Sequence, residues 1–282
     1  MSPRRGLETA QAFMIKYQFT GISWFALGVF VVGLYHTLSD GDFSFLLTLG
    51  AVVRMYAFVL LLIKTFLEGG ADGLSGKTLY LYLIAFASRL TSILQFEGYL
   101  PYDSSGDWLY QVVEIISLLC VLTAIYQFHT KASIAIPCVL SLLCCVNAFC
   151  QNAYVCYVLG IVGCVQASDR ARRQDVFLGA SILPKGFNIL FIVVPVAILA
   201  LIFHPNLNGH FIADYSWTFA CYLETFALVP QLVLFQRSGS ASGPGFRTAH
   251  VSAYISNWVF ALGVGRLMHF FFWCVSLLWL FA

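Results

Sequence analysis

The residues of this sequence that are best suited to chemistry are charged side chains inside long apolar stretches. The segment 217–231, WTFACYLETFALVPQ, is apolar enough to lie in a membrane, yet it carries Glu224 in its middle. Asp214 and Trp217 precede Glu224 by ten and seven residues, which places two carboxyl groups and an indole on one stripe of a helix. A charge at membrane depth costs about 2.5–3.5 kcal/mol on insertion scales, so it normally faces a cavity or a partner.

Three arginines are embedded in other apolar stretches: Arg54, Arg89 and Arg266. Arg266, His269 and Trp273 follow one another at steps of three and four residues, which is one helical face. A guanidinium is a planar fork of donors that matches a carboxylate two bonds at a time. Together these groups predict a polar cavity with an anion-binding side. The alternative is that the arginines pair with acids inside the protein and only hold helices together.

Signals for other chemistry are weak. The histidines do not form a spaced ligand set, and the nine cysteines all lie in apolar runs, so we expect neither a metal nor a cofactor. The sequence shows no catalytic triad or phosphate loop in a plausible context, and we expect that the protein is not an enzyme. The net charge of +2 comes without a basic cluster, so nucleic acid is not an expected partner.

The composition predicts that helices of a membrane protein position these groups. Of the 282 residues, 60% are hydrophobic and only 10% are charged, whereas soluble domains carry about 25% charged residues. We therefore expect an all-α polytopic protein in the lipid bilayer, with about seven to nine transmembrane helices. The apolar runs that we interpret as spans are 17–38, 45–66, 79–96, 108–128, 187–203, 211–235 and 251–282.

Two features of the loops refine this map. The run 133–166 is long for one span and short for two, and the cations on both sides of it favour a hairpin. The loops 39–43 and 97–107 carry acids and no base, so the positive-inside rule places them in the lumen and the N-terminus in the cytosol. The span 108–128 contains a further embedded acid, Glu114.

Several motifs resemble those of the KDEL receptors, the receptors that retain proteins of the endoplasmic-reticulum (ER) lumen. They are GLSGK at 73–77, SRL at 88–90, VVPVAIL at 193–199, WTFACYLETFALVPQ at 217–231 and FALGVGR at 260–266. The extra N-terminal span and the loop 204–210 resemble the longer, receptor-like branch of this family. The resemblance covers about 43–273 and leaves 133–185 unmatched. It divides the chain into an extra transmembrane helix, 1–42, and a receptor-like domain, 43–282, with an insertion at 133–185.

The resemblance implies a bundle of two three-helix units around a central cavity, related to the PQ-loop, SWEET-like sugar transporters. It also implies a receptor in ER and cis-Golgi membranes. Such a receptor binds the C-terminal KDEL- or HDEL-like tetrapeptide of escaped lumenal proteins and returns them to the ER in vesicles with the COPI coat. Two alternatives stay open: a small-solute transporter on the same architecture, and a relative that has lost ligand binding.

The same resemblance implies roles for individual residues. Arg89 matches the arginine that takes the peptide's terminal carboxylate, and Arg266 matches a second cavity arginine. Asp214 stands where a glutamate meets the ligand's basic residue, and Trp217 matches a neighbouring tryptophan. Glu224 matches a glutamate that couples to protonation.

The chain departs from the family pattern at several cavity positions. The titrating histidine of the family is replaced by Arg54, an arginine by Leu47, an aspartate by Ser92, and two tyrosines by Gly265 and His269. Because His269 lies one turn from Arg266, it is a candidate pH sensor, and the alternative is that it substitutes for tyrosine as a neutral hydrogen-bonding group. The candidate peptide-binding residues are thus Arg54, Arg89, Asp214, Trp217, Glu224, Arg266, His269 and Trp273.

Overall fold

The computed structural model describes residues 21–22, 24–33, 35–36, 45–67, 73–94, 107–130, 189–206, 209–240 and 253–281. These residues are helical apart from short turns, and none of them forms a strand. An N-terminal segment, Trp24–Gly33, is helical. It is followed by α1 (Phe45–Leu67), α2 (Gly76–Ile93), α3 (Asp107–Thr130), α4 (Leu190–Ile202), α5 (Phe211–Ala227), α6 (Val229–Ser240) and α7 (Ala253–Phe281). The run 133–166 and most of the two predicted lumenal loops lie outside the described residues.

The described helices confirm a polytopic membrane protein. Four helical stretches are long and apolar enough to cross a membrane: Phe45–Leu67, Trp108–Phe128, Phe211–Gln236 and Tyr254–Val275. The span predicted at 211–235 lies within the stretch Phe211–Gln236, and its helix is interrupted at Leu228, between α5 and α6. Pro230 accounts for this interruption, because proline has no N–H to donate and fits best in the first turn of a helix.

Helix α2 is the centre of the bundle. It is buried along almost its whole length, including Lys77 and Arg89, and it contacts α3, α5 and α6. Helix α3 packs against both α1 and α2, while α7 packs against α1 and α4 packs against α5. Side chains from α1, α2, α3, α5 and α7 can therefore meet in the interior.

An aromatic layer holds α1, α2 and α7 together. Phe58 lies edge-on to Tyr82, Phe86 and Trp258, with ring centroids 5.0, 5.3 and 6.1 Å apart. Phe58 is one turn beyond Arg54 on α1, so the aromatic layer lies next to the embedded arginine. Buried aromatic pairs of this geometry contribute about 0.5–1.5 kcal/mol beyond their area.

Two glycines bring α1 and α7 into close contact. A Cβ on Gly265 would lie 3.0 Å from the carbonyl oxygen of Gly50, and a Cβ on Gly50 would collide with the ring of His269. A side chain at Gly265 would press on the backbone of α1, and one at Gly50 would displace the His269 ring. The pair therefore fixes the distance between α1 and α7, and with it the positions of the arginines that these helices carry.

The glutamine of the PQ pair fastens α6 to the turn before α2. Gln231 is fully buried, and its Oε1 accepts a hydrogen bond of 2.7 Å from the backbone N–H of Ser75. Its Nε2 donates a bond of 2.9 Å to the carbonyl of Gly73, which has a φ of 78°. Ser75 itself makes no side-chain cap, so Gln231 satisfies one of the backbone donors that a helix N-terminus leaves open.

Candidate functional site

One charged side chain from each of five helices meets inside the bundle. They are Arg54 of α1, Arg89 of α2, Glu114 of α3, Glu224 of α5 and Arg266 of α7. The first four are at most 2% exposed, and the side chain of Arg266 is 25% exposed. We call these five residues the charge cluster.

Two arginines and two glutamates of the cluster form a closed ring. Arg89 donates from Nη1 to Glu114 Oε1 at 3.0 Å, and its Nη2 lies 2.8 Å from Glu224 Oε2. Arg54 donates from Nη1 to the same oxygen of Glu224 at 3.1 Å, and from Nη2 to the same oxygen of Glu114. Each guanidinium thus connects both carboxylates.

Arg266 joins the cluster at one point, because its Nη2 pairs with Glu224 Oε2. Among the described residues, Glu224 therefore has three arginine partners, whereas Glu114 has two. The second oxygens of the two carboxylates, Glu114 Oε2 and Glu224 Oε1, are buried and accept no hydrogen bond within the described part of the chain.

The cluster is cationic and sits in apolar surroundings. Its three guanidinium groups and two ionised carboxylates leave one net positive charge. The guanidinium carbon of Arg54 lies 5.3 Å from the centre of the Phe86 ring, and Arg89 Nη2 lies 3.8 Å from the sulfur of Cys221. Low-dielectric walls strengthen the attraction for an anion and raise the penalty of leaving a charge unpaired.

Four of the eight predicted site residues thus come together: Arg54, Arg89, Glu224 and Arg266. The internal pairing that the sequence left open as an alternative is present, since each of these arginines contacts a glutamate. Among the described residues, no group of His, Cys, Asp and Glu has the size that a metal site needs.

Three other predicted residues lie towards the opposite end of α5. Asp214 is buried in the first turns of α5, ten residues before Glu224, which corresponds to about 15 Å along the helix axis. Trp217 follows one turn later and packs edge-on against Trp273 of α7, with ring centroids 6.3 Å apart. Asp214, Trp217 and Trp273 form a second zone, separated from the charge cluster along the bundle axis.

His269 contacts the backbone of α1. Its Nε2 lies 3.3 Å from the carbonyl oxygen of Leu47, and its ring fills the space beside Gly50. The imidazole therefore packs in the contact between α1 and α7. In the same contact a Cβ on Gly265 would already lie 3.0 Å from the carbonyl oxygen of Gly50, so the tyrosine that the resemblance expects at this position would not fit.

Glu114 is the residue of the cluster that was absent from the predicted site. It was recognised as an embedded acid, but no family role pointed to it. The signal that could have found it is the cost of an uncompensated buried carboxylate, which requires a cation on a neighbouring helix. Arg54 and Arg89 lie on the two helices that contact α3, and both pair with Glu114.

Comparisons with known proteins point to one family. The family model described as ER lumen protein retaining receptor matches residues 138–276. A relative named ER lumen protein-retaining receptor erd-2.2, from Caenorhabditis elegans, is 39% identical over 87 residues, which are 31% of this chain and 35% of the relative. An ER lumen protein-retaining receptor from Drosophila melanogaster is 33% identical over 87 residues, which are 31% of this chain and 35% of the relative. One from Dictyostelium discoideum is 36% identical over 93 residues, which are 31% of this chain and 37% of the relative. The chain thus matches about a third of the length of these relatives.

The matched range contains Asp214, Glu224 and Arg266, and it begins inside the segment 133–185 that was expected to be an insertion. Arg54, Arg89 and Glu114 precede it. Over residues 138–276 the chain is therefore similar to the ER lumen protein retaining receptor family, as the sequence motifs had indicated.

Proposed function

We propose that this protein is a receptor for C-terminal retention peptides of ER lumenal proteins. The observation that supports the proposal best is the charge cluster, which holds one net positive charge in a buried, apolar site. A peptide α-carboxylate brings one negative charge, so its binding would leave the cluster neutral. Three buried guanidinium groups are not needed for stability, because apolar side chains of similar volume stabilise a protein interior as well as buried ion pairs or better.

The carboxylate end of the ligand is proposed to meet Arg89. The resemblance gives this arginine the role, and its position on the central helix places it among the embedded charges of α1, α3 and α5. Arg266 is the most exposed cation of the cluster and is proposed as the second carboxylate contact. A neutral sugar would not require these cations, and the proposal therefore favours a peptide over a small neutral solute.

The rest of the peptide is proposed to extend towards Asp214, Trp217 and Trp273. The axial separation of about 15 Å between Asp214 and Glu224 is close to the length of four extended residues, which span about 13–14 Å. Asp214 would then face a basic residue near the start of the tetrapeptide. The Trp217–Trp273 pair would cover the apolar part of its chain.

The family also provides the cellular context of this proposal. The matched relatives are named as receptors that retain ER lumen proteins, which indicates a membrane protein of the secretory pathway. We propose the ER and cis-Golgi membranes as its location, and return in vesicles with the COPI coat as its transport route. The receptor role requires binding and release and no enzymatic activity.

The decisive experiment is a binding assay on purified protein with two tetrapeptides that differ at one end. One carries a free C-terminus and the other an amidated C-terminus. If a guanidinium takes the carboxylate in a desolvated site, amidation should weaken binding by about 2–5 kcal/mol, or at least about 30-fold. Equal affinity for the two peptides would contradict the proposal. Ser88→Ala is a suitable control variant, because Ser88 neighbours Arg89 and its hydroxyl donates to Ile84 of its own helix.

A further inference from the structure

Glu114 is fully buried and does not take part in the peptide contacts proposed above. Its Oε1 is shared by Arg54 and Arg89, while its Oε2 accepts no hydrogen bond from any residue that the structure describes. A carboxylate shared by two guanidinium groups is the arrangement that a peptide C-terminus would adopt in this site. Glu114 thus holds, from within the chain, the position that suits a ligand carboxylate.

Arg89 shows why this matters for binding. Its two terminal nitrogens face acids of the chain itself, Nη1 at 3.0 Å from Glu114 and Nη2 at 2.8 Å from Glu224. A carboxylate that arrives at Arg89 in the fork geometry has to replace one of these two acids. Glu114 is the easier one to replace, because two arginines hold it, whereas three arginines hold Glu224.

We propose that Glu114 is an internal competitor of the ligand carboxylate and determines how tightly the site binds carboxylates. The ligand displaces the Glu114 carboxylate from Arg89, and Arg54 keeps the displaced acid paired. This inference rests on the proposed function, in which Arg89 takes a peptide carboxylate. This role differs from that of a residue that only positions Arg89. A positioning residue strengthens ligand binding, whereas a competitor weakens it.

The test uses variants that remove or retract the acid. Glu114→Gln keeps the shape, removes the competing charge and leaves the cluster with two net positive charges, so we expect affinity for the free-carboxylate tetrapeptide to rise at least about tenfold. The amidated peptide should gain little. Glu114→Asp withdraws the carboxylate by one methylene and should give an intermediate affinity. Ser117→Ala is the matched control, because Ser117 is buried one turn further along α3 and donates to Val113 of the same helix.

A second arm does not depend on peptide binding. Glu114→Ala leaves a space beside Arg54 and Arg89 that fits a small carboxylate, so acetate should raise the melting temperature of this variant more than chloride at equal ionic strength. The wild type should show no such difference. A folded variant that acetate does not stabilise would overturn the role of Glu114.

The outcomes separate the two proposals. The inference is overturned if Glu114→Gln binds the free-carboxylate peptide no more tightly than the wild type. If Glu114→Gln does not fold, the same comparison is made with Glu114→Asp. If acetate stabilises Glu114→Ala but no variant binds either peptide, the role of Glu114 is supported while the peptide-receptor function fails.

Discussion

The ring of Arg54, Arg89, Glu114 and Glu224 predicts strong energetic coupling between α1 and α3. The perturbation that tests it is a double-mutant cycle with Arg54→Met and Glu114→Leu, which replace the charges by apolar side chains. Each single substitution leaves an embedded charge with fewer partners. The double substitution removes one cation and one anion, so the remaining Arg89, Glu224 and Arg266 keep the net charge of the cluster at one positive unit.

The structure sets the expected magnitude. Removing one partner of a buried ion pair costs about 3–5 kcal/mol, because the other charge stays in the interior without compensation. Arg54 and Glu114 are 2% and 0% exposed, so water cannot replace the lost partner. If the two effects were independent, the free energy of unfolding of the double variant would fall by about 6–10 kcal/mol. We expect a loss of only about 3–5 kcal/mol, which corresponds to a coupling energy of about 3 kcal/mol.

The assay is equilibrium unfolding of the purified protein in mixed micelles, applied to the wild type, both single variants and the double variant. The control cycle combines Arg54→Met with Ser117→Ala, since Ser117 is also buried on α3 but bonds within its own helix. Its two effects should add within about 0.5 kcal/mol. If the effects of Arg54→Met and Glu114→Leu on the free energy of unfolding also add within about 0.5 kcal/mol, the two residues are not energetically coupled and the reasoning is refuted.

Three further predictions follow from single side chains. Arg89→Ala should abolish binding of a free-carboxylate peptide, a loss of about 2–5 kcal/mol measured by calorimetry, whereas Ser88→Ala should not; an unchanged affinity would exclude Arg89 as the carboxylate contact. Gln231→Leu should lower the free energy of unfolding by about 1–3 kcal/mol, because the backbone groups of Gly73 and Ser75 lose their partners, and a neutral effect on unfolding would show that this contact is dispensable. His269→Phe should leave the ratio of peptide affinities at about pH 5.5 and 7.2 as in the wild type, since the imidazole packs between α1 and α7; a ratio that collapses in the variant would make His269 the pH sensor.

The embedded charges could be predicted as a site because burial itself forces them together. A lone arginine in an apolar span has to find an acid, so Arg54, Arg89 and Arg266 had to point towards Glu224 or another carboxyl group. Helical spacing also placed Trp217 on the stripe of α5 that leads to Glu224. The polytopic, all-helical class followed from composition alone, because so few charged residues cannot solvate a protein of this length.

The pairing of helices could not be predicted in the same way. Helical spacing shows which residues share a face, but it does not show which helix that face meets. His269 shares a face with Arg266, yet it contacts Leu47 because Gly50 and Gly265 allow α1 to approach α7 closely. That approach depends on two glycines far apart in the sequence, and neither one is informative by itself. Glu114 was missed for the same reason, since its role depends on α3 lying against both α1 and α2.

The sequence resemblance predicts that Arg54 stands where related receptors have a titrating histidine. Arginine stays charged throughout the physiological pH range, so this position cannot sense pH. Within the cluster Arg54 pairs with Glu114, and these two charges cancel. The five residues carry one net positive charge, and under the proposal above a ligand carboxylate has to displace Glu114 from Arg89. A receptor built on this cluster should therefore discriminate carboxylates by competition with Glu114, and any pH dependence that it keeps has to come from groups other than the one at position 54.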